Sequence, residues 1–149
     1  MGPGEECAPK VGFGLGRAPV AQGDGTDCLA SYIDARQLTG VDFSSVAIAQ
    51  ASARYPAIQF SNANWLDGAP VAAQQYDIVF SSNTLEHFHT PYDVLRTLAR
   101  HARKAVVLAL PYREMQRIDE HFYSFLPSNI PVVLDNGFRL AWSRVVDCR

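Results

Sequence analysis

Short runs rich in β-branched and aromatic residues alternate with amphipathic helical stretches through most of this 149-residue sequence. The apolar run 76–81 is followed by a helical stretch that begins at Pro91, and the still more apolar run 104–110 comes next. A strand, a helix and a strand in this order form a crossover unit, in which the two strands are parallel. The alternation therefore predicts a single α/β domain over residues 19–149. Residues 1–18 hold five of the ten glycines and are expected to be an irregular lead-in.

The same periodicity places the individual elements and indicates a three-layer sandwich with a mostly parallel, Rossmann-like sheet. Ser44 or Ser45 is expected to cap a helix that Pro56 ends, because the residue before a proline avoids the α region. Five or six strands are predicted, the first ending at Ala21 and the others at 37–42, 57–61, 76–81, 104–110 and 138–146. The remaining helices are predicted at 26–35, from Pro91 onward, and, in broken form, at 122–134.

The charge balance and the cysteine count limit the classes of partner and compartment. Fifteen acidic and 13 basic residues give a formal net charge of −2, which leaves no positive surplus for binding phosphates, so no nucleic-acid partner is expected. Three widely spaced cysteines form no C-x-x-C pair and are predicted to be free thiols of a cytoplasmic protein. No apolar run approaches the ~20 residues that span a bilayer, and the first residues do not resemble a signal peptide, so no membrane association is expected.

A glycine-containing turn and an acidic residue have the spacing of a nucleotide-binding unit. Gly23-Asp24-Gly25-Thr26 follows the first predicted strand, where glycines let the backbone approach a ligand and a helix N-terminus presents free N–H groups. Asp42 ends the second predicted strand, 19 positions after Gly23. An acid about 20 positions beyond such a turn hydrogen-bonds ribose hydroxyls. We therefore expect Asp42 to bind a ligand; the alternative is that it caps the following helix.

Five short motifs, in their order and spacing, resemble the successive signatures of class I S-adenosylmethionine (SAM)-dependent methyltransferases. They are 38–44 (LTGVDFS), 47–49 (AIA), 76–80 (YDIVF), 85–87 (LEH) with Pro91 four residues later, and 137–138 (GF). The resemblance covers residues 19–147. It implies a truncated core of the methyltransferase fold, SAM as the cofactor, and transfer of a methyl group as the activity.

The resemblance also implies a role for individual residues. Residues 19–26 correspond to the family's glycine-rich SAM loop, so that Gly23 and Gly25 would approach the methionine part while Asp42 would hold the ribose. Residues 64–65 correspond to the adenine-flanking position, and residues 81–83 would border the sulfonium, where the acceptor enters. The cofactor-binding residues expected on this basis are Gly23, Gly25, Asp42, Phe43, Asn64, Trp65 and Ser81, and the expected substrate-binding residues are Asn83 and Tyr112.

This SAM loop departs from the family pattern at two positions. Pro19 stands where the family usually has Glu or Asp, and Ala21 stands where it has glycine. Proline cannot replace an acid near the methionine ammonium, and the Ala21 methyl group would crowd a backbone that approaches the ligand, so the loop is degenerate in this alignment. An alignment that uses the glycines of 12–16 instead puts Asp42 30 positions after Gly12, too far for the usual unit, and we set it aside.

Two histidines are candidates for removing a proton from an oxygen or nitrogen acceptor. His87 follows the central predicted strand, and His121 precedes the aromatic residues of 122–125. Both are predicted catalytic residues, with the alternatives that Glu86-His87 only orients a loop and that His121 only caps a helix. No metal site is expected, because no carboxylate or cysteine completes a recognisable set of ligands with the histidines.

Three functions fit these features. The first is a methyltransferase that acts on a small acceptor or on one presented by another protein, working alone, with a protein partner or as a homo-oligomer. The second is a methyltransferase-like domain without catalysis that serves as a binding or interaction module, which Pro19 and Ala21 motivate. The third, a nicotinamide-dependent oxidoreductase, ranks last because G-x-G-x-x-G is absent after the first predicted strand.

Overall fold

The computed structural model describes residues 11–14, 24–64, 66, 75–134 and 136–147. Short 3₁₀ turns precede the second strand, at Ala35–Gln37, and the third helix, at Leu85–His87. In chain order the strands and α-helices are β1 (Val11–Gly14), α1 (Asp24–Ala30), β2 (Leu38–Asp42), α2 (Ser45–Arg54), β3 (Gln59–Asn62), β4 (Tyr76–Ser82), α3 (Pro91–His101) and β5 (Ala102–Ala109).

The five strands form one parallel sheet in the order β3-β2-β1-β4-β5. The chain moves outward from β1 through β2 to β3, and it then returns to the other side of β1 to form β4 and β5. With right-handed crossovers, this reversal puts α1 and α2 on one face of the sheet and α3 on the other. The predicted three-layer α/β fold is confirmed, and its topological switch point lies between β1 and β4.

Each face of the sheet has its own hydrophobic cluster. On one face, Val94 and Leu98 of α3 pack in a cluster with Val79 of β4. On the other, Leu29 of α1 packs against Leu38 of β2. The two clusters fix the helices against the sheet and leave the carboxyl ends of the strands to the connecting loops. No helix among the described residues is both long enough and apolar enough to cross a bilayer.

Two helix starts follow the capping signals in the sequence. The Ser44 hydroxyl accepts a hydrogen bond from the Ala47 N–H at 3.2 Å, which makes Ser44 the N-cap of α2. Pro91 is the first residue of α3, where its missing N–H would have had no intrahelical partner. By contrast, α1 ends at Ala30, five residues earlier than predicted, and the Tyr32 side chain is exposed.

The first strand corrects the sequence prediction. β1 is Val11–Gly14, inside the stretch expected to be irregular, whereas the strand predicted to end at Ala21 falls outside the described residues. Two glycines in four residues give β1 little intrinsic β propensity, but its backbone pairs with β2 on one side and with β4 on the other. The domain therefore begins no later than Val11. This strand contains two glycines of the run 12–16, the alternative alignment for the SAM loop. Pro19, Ala21 and Gly23, which belong to the other alignment, lie outside the described residues.

The chain after β5 also differs from the prediction. The broken helix expected at 122–134 and the strand expected at 138–146 are both wrong: in the described part of this segment, strand-like pairing is limited to bridges between Tyr112 and Phe125 and between Val133 and Arg139. Phe125 is fully buried and packs in the cluster beneath α3, where Tyr123, Ile130 and Phe138 also pack, so apolar side chains rather than regular structure hold the segment in place.

Proline explains why the helical periodicity of this segment misleads. Pro127 and Pro131 each lack an N–H and push the preceding residue out of the α region. The Asn129 side chain instead satisfies the backbone, accepting from the Leu126 N–H at 2.8 Å and donating to the Ser124 carbonyl at 2.9 Å. Gly137 has a φ of +88°, but it turns a loop rather than ending a helix.

Candidate functional site

The carboxyl ends of β1, β2 and β4 meet at the switch point of the sheet. Gly14, the last residue of β1, is level with Val41 in β2 and with Ser81 in β4. Asp42 is the next residue of β2 and is level with Asn62 of β3. With neighbouring strands about 4.8 Å apart, Asp42 and Ser81 lie roughly 10 Å from each other across β1. This is where open parallel sheets bind their ligands.

The Asp42 side chain is held in place by local hydrogen bonds. Its Oδ1 accepts from the Ser44 N–H at 2.7 Å, and its backbone carbonyl accepts from the Asn62 side chain at 3.1 Å and from the Ala63 N–H at 3.0 Å. Burial raises the pKa of this carboxyl, against the opposing effect of the Ser44 bond. Within the described part of the chain Oδ2 has no hydrogen-bond partner, so it can accept from a ligand. The N-cap of α2 is Ser44, not Asp42.

The Ser81 hydroxyl is a second polar group that the fold leaves unsatisfied. Its side chain is fully buried, and Oγ has no hydrogen-bond partner among the residues that the structure describes. Leaving a buried hydroxyl without a partner costs roughly 1–3 kcal/mol, so such a group calls for a ligand atom or a water nearby. Together with Asp42, Ser81 makes the switch point suited to a ligand that carries polar atoms at both ends of a ~10 Å span.

The loop after β4 borders the same edge. Asn83 has a φ of +47°, and its N–H donates to the Ala109 carbonyl at 3.0 Å, which ties the end of β4 to the end of β5. Tyr112 follows β5, is half-buried, and lies under the Arg113 guanidinium, 5.3 Å from the ring centroid. Both predicted substrate-binding residues therefore follow adjacent strands.

The other residues expected to bind a cofactor differ in how far the structure describes them. The Phe43 side chain is 55% exposed directly after Asp42, and an aromatic ring in that position can cover a flat ligand. Asn64 uses its Oδ1 to accept from the Leu66 N–H at 3.2 Å. Gly25 lies in the first turn of α1 rather than before it. Gly23 and Trp65 lie outside the described residues.

The two predicted catalytic histidines lie together. The His87 and His121 rings meet edge to face with centroids 5.0 Å apart, and the Nε2 atom of each is 4.0 Å from Oε1 of Glu86. Nδ1 of His87 donates to the Glu120 carbonyl at 2.9 Å, and Nδ1 of His121 lies 2.6 Å from a carboxylate oxygen of Glu114. We call Glu86, His87, Glu114 and His121 the Glu86 cluster.

Glu86 lies at the centre of this cluster and is fully buried. Its backbone carbonyl accepts from the Phe122 N–H at 2.8 Å and the Tyr123 N–H at 3.1 Å, and these two bonds bring His121 to it. Neither carboxylate oxygen has a hydrogen-bond partner in the described part of the chain. Burial raises the pKa of Glu86, and Glu114 adds to the rise, while the proximity of the residue's own backbone N–H and of the two histidines opposes it.

The position of Glu86 corrects the expectation that no carboxylate joins the histidines. One ligand atom from each of Glu86, His87 and His121 lies within 4.8 Å of the others. The sequence conceals this set because His121 is 34 residues beyond His87, and only the backbone bonds to Glu86 bring it near. An open cavity of about 400 Å³ adjoins the cluster, with Glu114, Phe122 and Tyr123 among its lining residues.

A comparison with protein families connects this geometry with a known kind of domain. Residues 20–110, more than half of the chain, match a family model described as a methyltransferase domain. The matched range includes Asp42, Ser81 and His87 and begins after β1. No curated protein sequence matches the chain significantly.

Solved structures share the fold at low sequence identity. The sugar N-methyltransferase KedS8 from Streptoalloteichus sp ATCC 53650 has a TM-score of 0.57 and 16% identity over 76% of this chain and 45% of that chain. The plantazolicin methyltransferase BpumL in complex with SAH has a TM-score of 0.54 and 18% identity over 76% and 46%. The [4+2]-cyclase SpnF has a TM-score of 0.59 and 16% identity over 81% and 47%. The chain spans about half the length of these neighbours.

Proposed function

Since this chain belongs to the methyltransferase domain family, we propose that it binds SAM at the switch point of the sheet and transfers the methyl group to an acceptor. SAM is the methyl donor of the family. The observation that carries the proposal is Asp42: a buried carboxylate at the carboxyl end of β2, fixed by the Ser44 N–H, with Oδ2 left to accept from ribose hydroxyls.

Each of the other residues at the switch point would contact a different part of the cofactor. Gly14 would let the backbone approach the methionine part, Phe43 would cover the adenine, and Ser81 would supply its unsatisfied hydroxyl near the sulfonium. Gly23, Gly25, Asn64 and Trp65 remain proposed contacts on the strength of the family resemblance alone.

The position of β1 changes how the SAM loop compares with the family pattern. The family's acid comes two positions before the first glycine of its loop; counted back from Gly12, the first glycine of 12–16, that position holds Lys10. The methionine ammonium would therefore lack its usual carboxylate in this alignment also. We expect SAM to bind mainly through Asp42 and the backbone at the carboxyl ends of β1, β2 and β4.

When bound, SAM would supply a methyl group on a sulfonium sulfur. The acceptor would bond to the methyl carbon in line as the sulfur leaves, so the chain's own residues must orient the acceptor and handle its proton. Asn83 and Tyr112 follow the neighbouring strands β4 and β5 and would line the acceptor site. His87 and His121 would handle the proton: each has Nδ1 engaged by an oxygen, which fixes the ring and leaves Nε2 as the reactive nitrogen. The acceptor is a small molecule or a group presented by another protein.

Isothermal titration with SAM tests the proposal. We expect saturable binding to the wild-type protein, and affinity reduced by about 10- to 100-fold in Asp42→Ala, because hydrogen bonds to a charged group contribute roughly 1.5–3 kcal/mol. Asp42→Asn keeps an oxygen for the Ser44 N–H but loses the charge, and it should be intermediate. The matched control is Asp34→Asn, since Asp34 is an exposed carboxylate that bonds Arg36 ahead of β2.

Other outcomes would count against a methyltransferase. Binding of NAD but not SAM would favour the oxidoreductase, and no binding of either ligand at millimolar concentration would contradict a nucleotide site. SAM binding with equal affinity in the wild-type protein and Asp42→Ala would remove Asp42 from the site.

A catalytically inactive binding module remains the second candidate function. It is favoured by the SAM loop, which lacks the family's acid in either glycine alignment. SAM binding that depends on Asp42, without methyl transfer to any acceptor in a broad screen with radiolabelled SAM, would favour this alternative.

A further inference from the structure

We propose that Glu86, His87 and His121 form a binding site for one divalent transition-metal cation of the Zn²⁺ type. Two imidazoles and a carboxylate are a frequent ligand set for zinc, and they leave a fourth position open for a water or an acceptor oxygen. The inference does not depend on SAM binding, because none of the three residues lies among those proposed to hold the cofactor.

The distances leave room for a cation at the centre. Each Nε2 is 4.0 Å from Oε1 of Glu86, which is too far for a hydrogen bond, and the three ligand atoms lie within 4.8 Å of one another. Ligands bound tetrahedrally at about 2.1 Å lie about 3.4 Å apart, so shifts of less than about 1 Å would bring the side chains into coordination. The sequence-adjacent Glu86 and His87 stand on a 3₁₀ turn, and two backbone bonds fix His121 against it.

The hydrogen bonds that the two histidines make through Nδ1 are typical of a metal site. Metal-binding histidines commonly donate the other ring N–H to a carbonyl or carboxylate, which fixes the ring and makes the ligating nitrogen more basic. His87 has the Glu120 carbonyl in that place, and His121 has the Glu114 carboxylate. With Nδ1 engaged in this way, Nε2 is in each histidine the nitrogen left to bind a cation.

Glu86 supplies an independent reason to expect a cation. A fully buried carboxylate with both oxygens unpaired by hydrogen bonds, among the described residues, is strongly unfavourable unless it is protonated or a positive charge compensates it. The described residues place two imidazoles at 4.0 Å from it, whereas a directly coordinated divalent cation would compensate the ionised carboxylate in full. The open cavity lined by Glu114 and Phe122 reaches the cluster at Glu114, the residue behind His121.

A bound cation would change the chemical role of the histidines. Ligation uses the same Nε2 lone pairs that a free imidazole base would use, so in the loaded protein neither histidine accepts a proton. An acceptor hydroxyl at the open position would instead become more acidic through the cation and lose its proton to solvent.

Zn²⁺ titration of the chelator-treated protein tests the proposal. We expect one Zn²⁺ per chain, with affinity at least about 100-fold weaker in Glu86→Gln and in His121→Gln, and about 10- to 100-fold weaker in Glu114→Gln. The matched control is His89→Gln, two positions from His87, where the ring stacks on Phe122 outside the cluster. This variant should bind Zn²⁺ like the wild-type protein.

Two results would overturn the site. Wild-type affinity retained in both Glu86→Gln and His121→Gln would show that Zn²⁺ binds elsewhere, for instance at free thiols. Absence of binding up to millimolar Zn²⁺ would show that the imidazoles alone compensate Glu86. Thermal unfolding in chelator checks that each variant folds, and Co²⁺ absorption of wild-type protein and Glu114→Gln gives a second readout. SAM titration in chelator keeps the test of the methyltransferase proposal separate.

Discussion

At the scale of single residues, Glu86 is the group whose environment departs most from that of an ordinary carboxylate. It is fully buried, the Nε2 atoms of His87 and His121 each lie 4.0 Å from its Oε1, and the Glu114 carboxylate adds to the rise of its pKa. Two residues of the cluster were predicted from the sequence as acid-base candidates, but neither carboxylate was. The sequence signal for Glu86 was its position next to His87; for Glu114, which reaches the cluster only through His121, we find none.

The pKa of Glu86 predicts a pH dependence of stability in the metal-free protein. Because burial raises this pKa above the ordinary value of 4.5, the folded state holds a proton that the unfolded state has already lost. The stability contribution of the group is complete below pH 4.5 and is lost as the pH rises toward the raised value. Relative to Glu86→Gln, the wild-type protein should therefore become less stable as the pH rises above 4.5.

Urea unfolding of both proteins in chelator, at several pH values, measures this difference. A wild-type protein that gains stability relative to Glu86→Gln as the pH rises would contradict the prediction. With Zn²⁺ present the wild-type protein should gain stability relative to Glu86→Gln at pH 7, since a ligand that binds only the folded state stabilises it.

At the scale of elements, β2 is held close to α1 and β3 because it contains Gly40. A Cβ atom at this position would lie 2.5 Å from the Phe60 ring and 3.4 Å from the Thr26 hydroxyl. Phe60 is level with Gly40 in the neighbouring strand, so its ring covers the glycine. The close approach of the two strands at this point helps to place Asp42, two residues further along β2.

We expect Gly40→Ala to destabilise the protein by about 1–3 kcal/mol, because the added methyl group displaces the Phe60 ring. In a Phe60→Ala background the same change should be neutral or slightly stabilising, since the obstacle is gone and alanine lowers the entropy of the unfolded chain. A double-mutant cycle by urea unfolding measures the coupling. An equal effect of Gly40→Ala in both backgrounds would show that the ring is not the obstacle.

The elements also show what the sequence could and could not predict. β2, α2, β4, α3 and β5 were confirmed to within a few residues, because each carries a continuous apolar pattern with a local start or stop signal. β1 was not, since Val-Gly-Phe-Gly becomes a strand only through its two neighbours. The segment 122–134 has helical periodicity, but Pro127 and Pro131 and the burial of Phe125 and Leu134 determine its path.

The candidate functional site, like the fold, could be predicted from the sequence only in part. Asp42 and Ser81 could be predicted because strand ends follow from the strands themselves. The meeting of Glu86 with His121 could not, because it depends on two backbone hydrogen bonds from a segment without regular structure. The residues of the SAM loop outside the described part, Gly23 among them, stay predictions.

At the scale of the whole molecule, the sheet order makes β1 the strand on which both halves of the fold depend. It lies between β2 and β4, so its amides are covered on both sides. We therefore expect the amides of Val11–Gly14 to exchange hydrogen only through global unfolding, and those of β3, at the edge of the described sheet, to exchange faster. Native-state hydrogen exchange measures both. Rapid exchange throughout 11–14 would contradict this strand and would favour one ending at Ala21.

The sheet order has a consequence for synthesis. β1 leaves the ribosome first, but its partner Ser81 is translated 67 residues after Gly14, and until then one side of the central strand has nothing to pair with. Such long-range pairings slow folding, and an open strand edge is a template for pairing with other chains. The nascent chain should therefore be most prone to aggregation before β4 has emerged, when β1, β2 and β3 are complete but the sheet is half built.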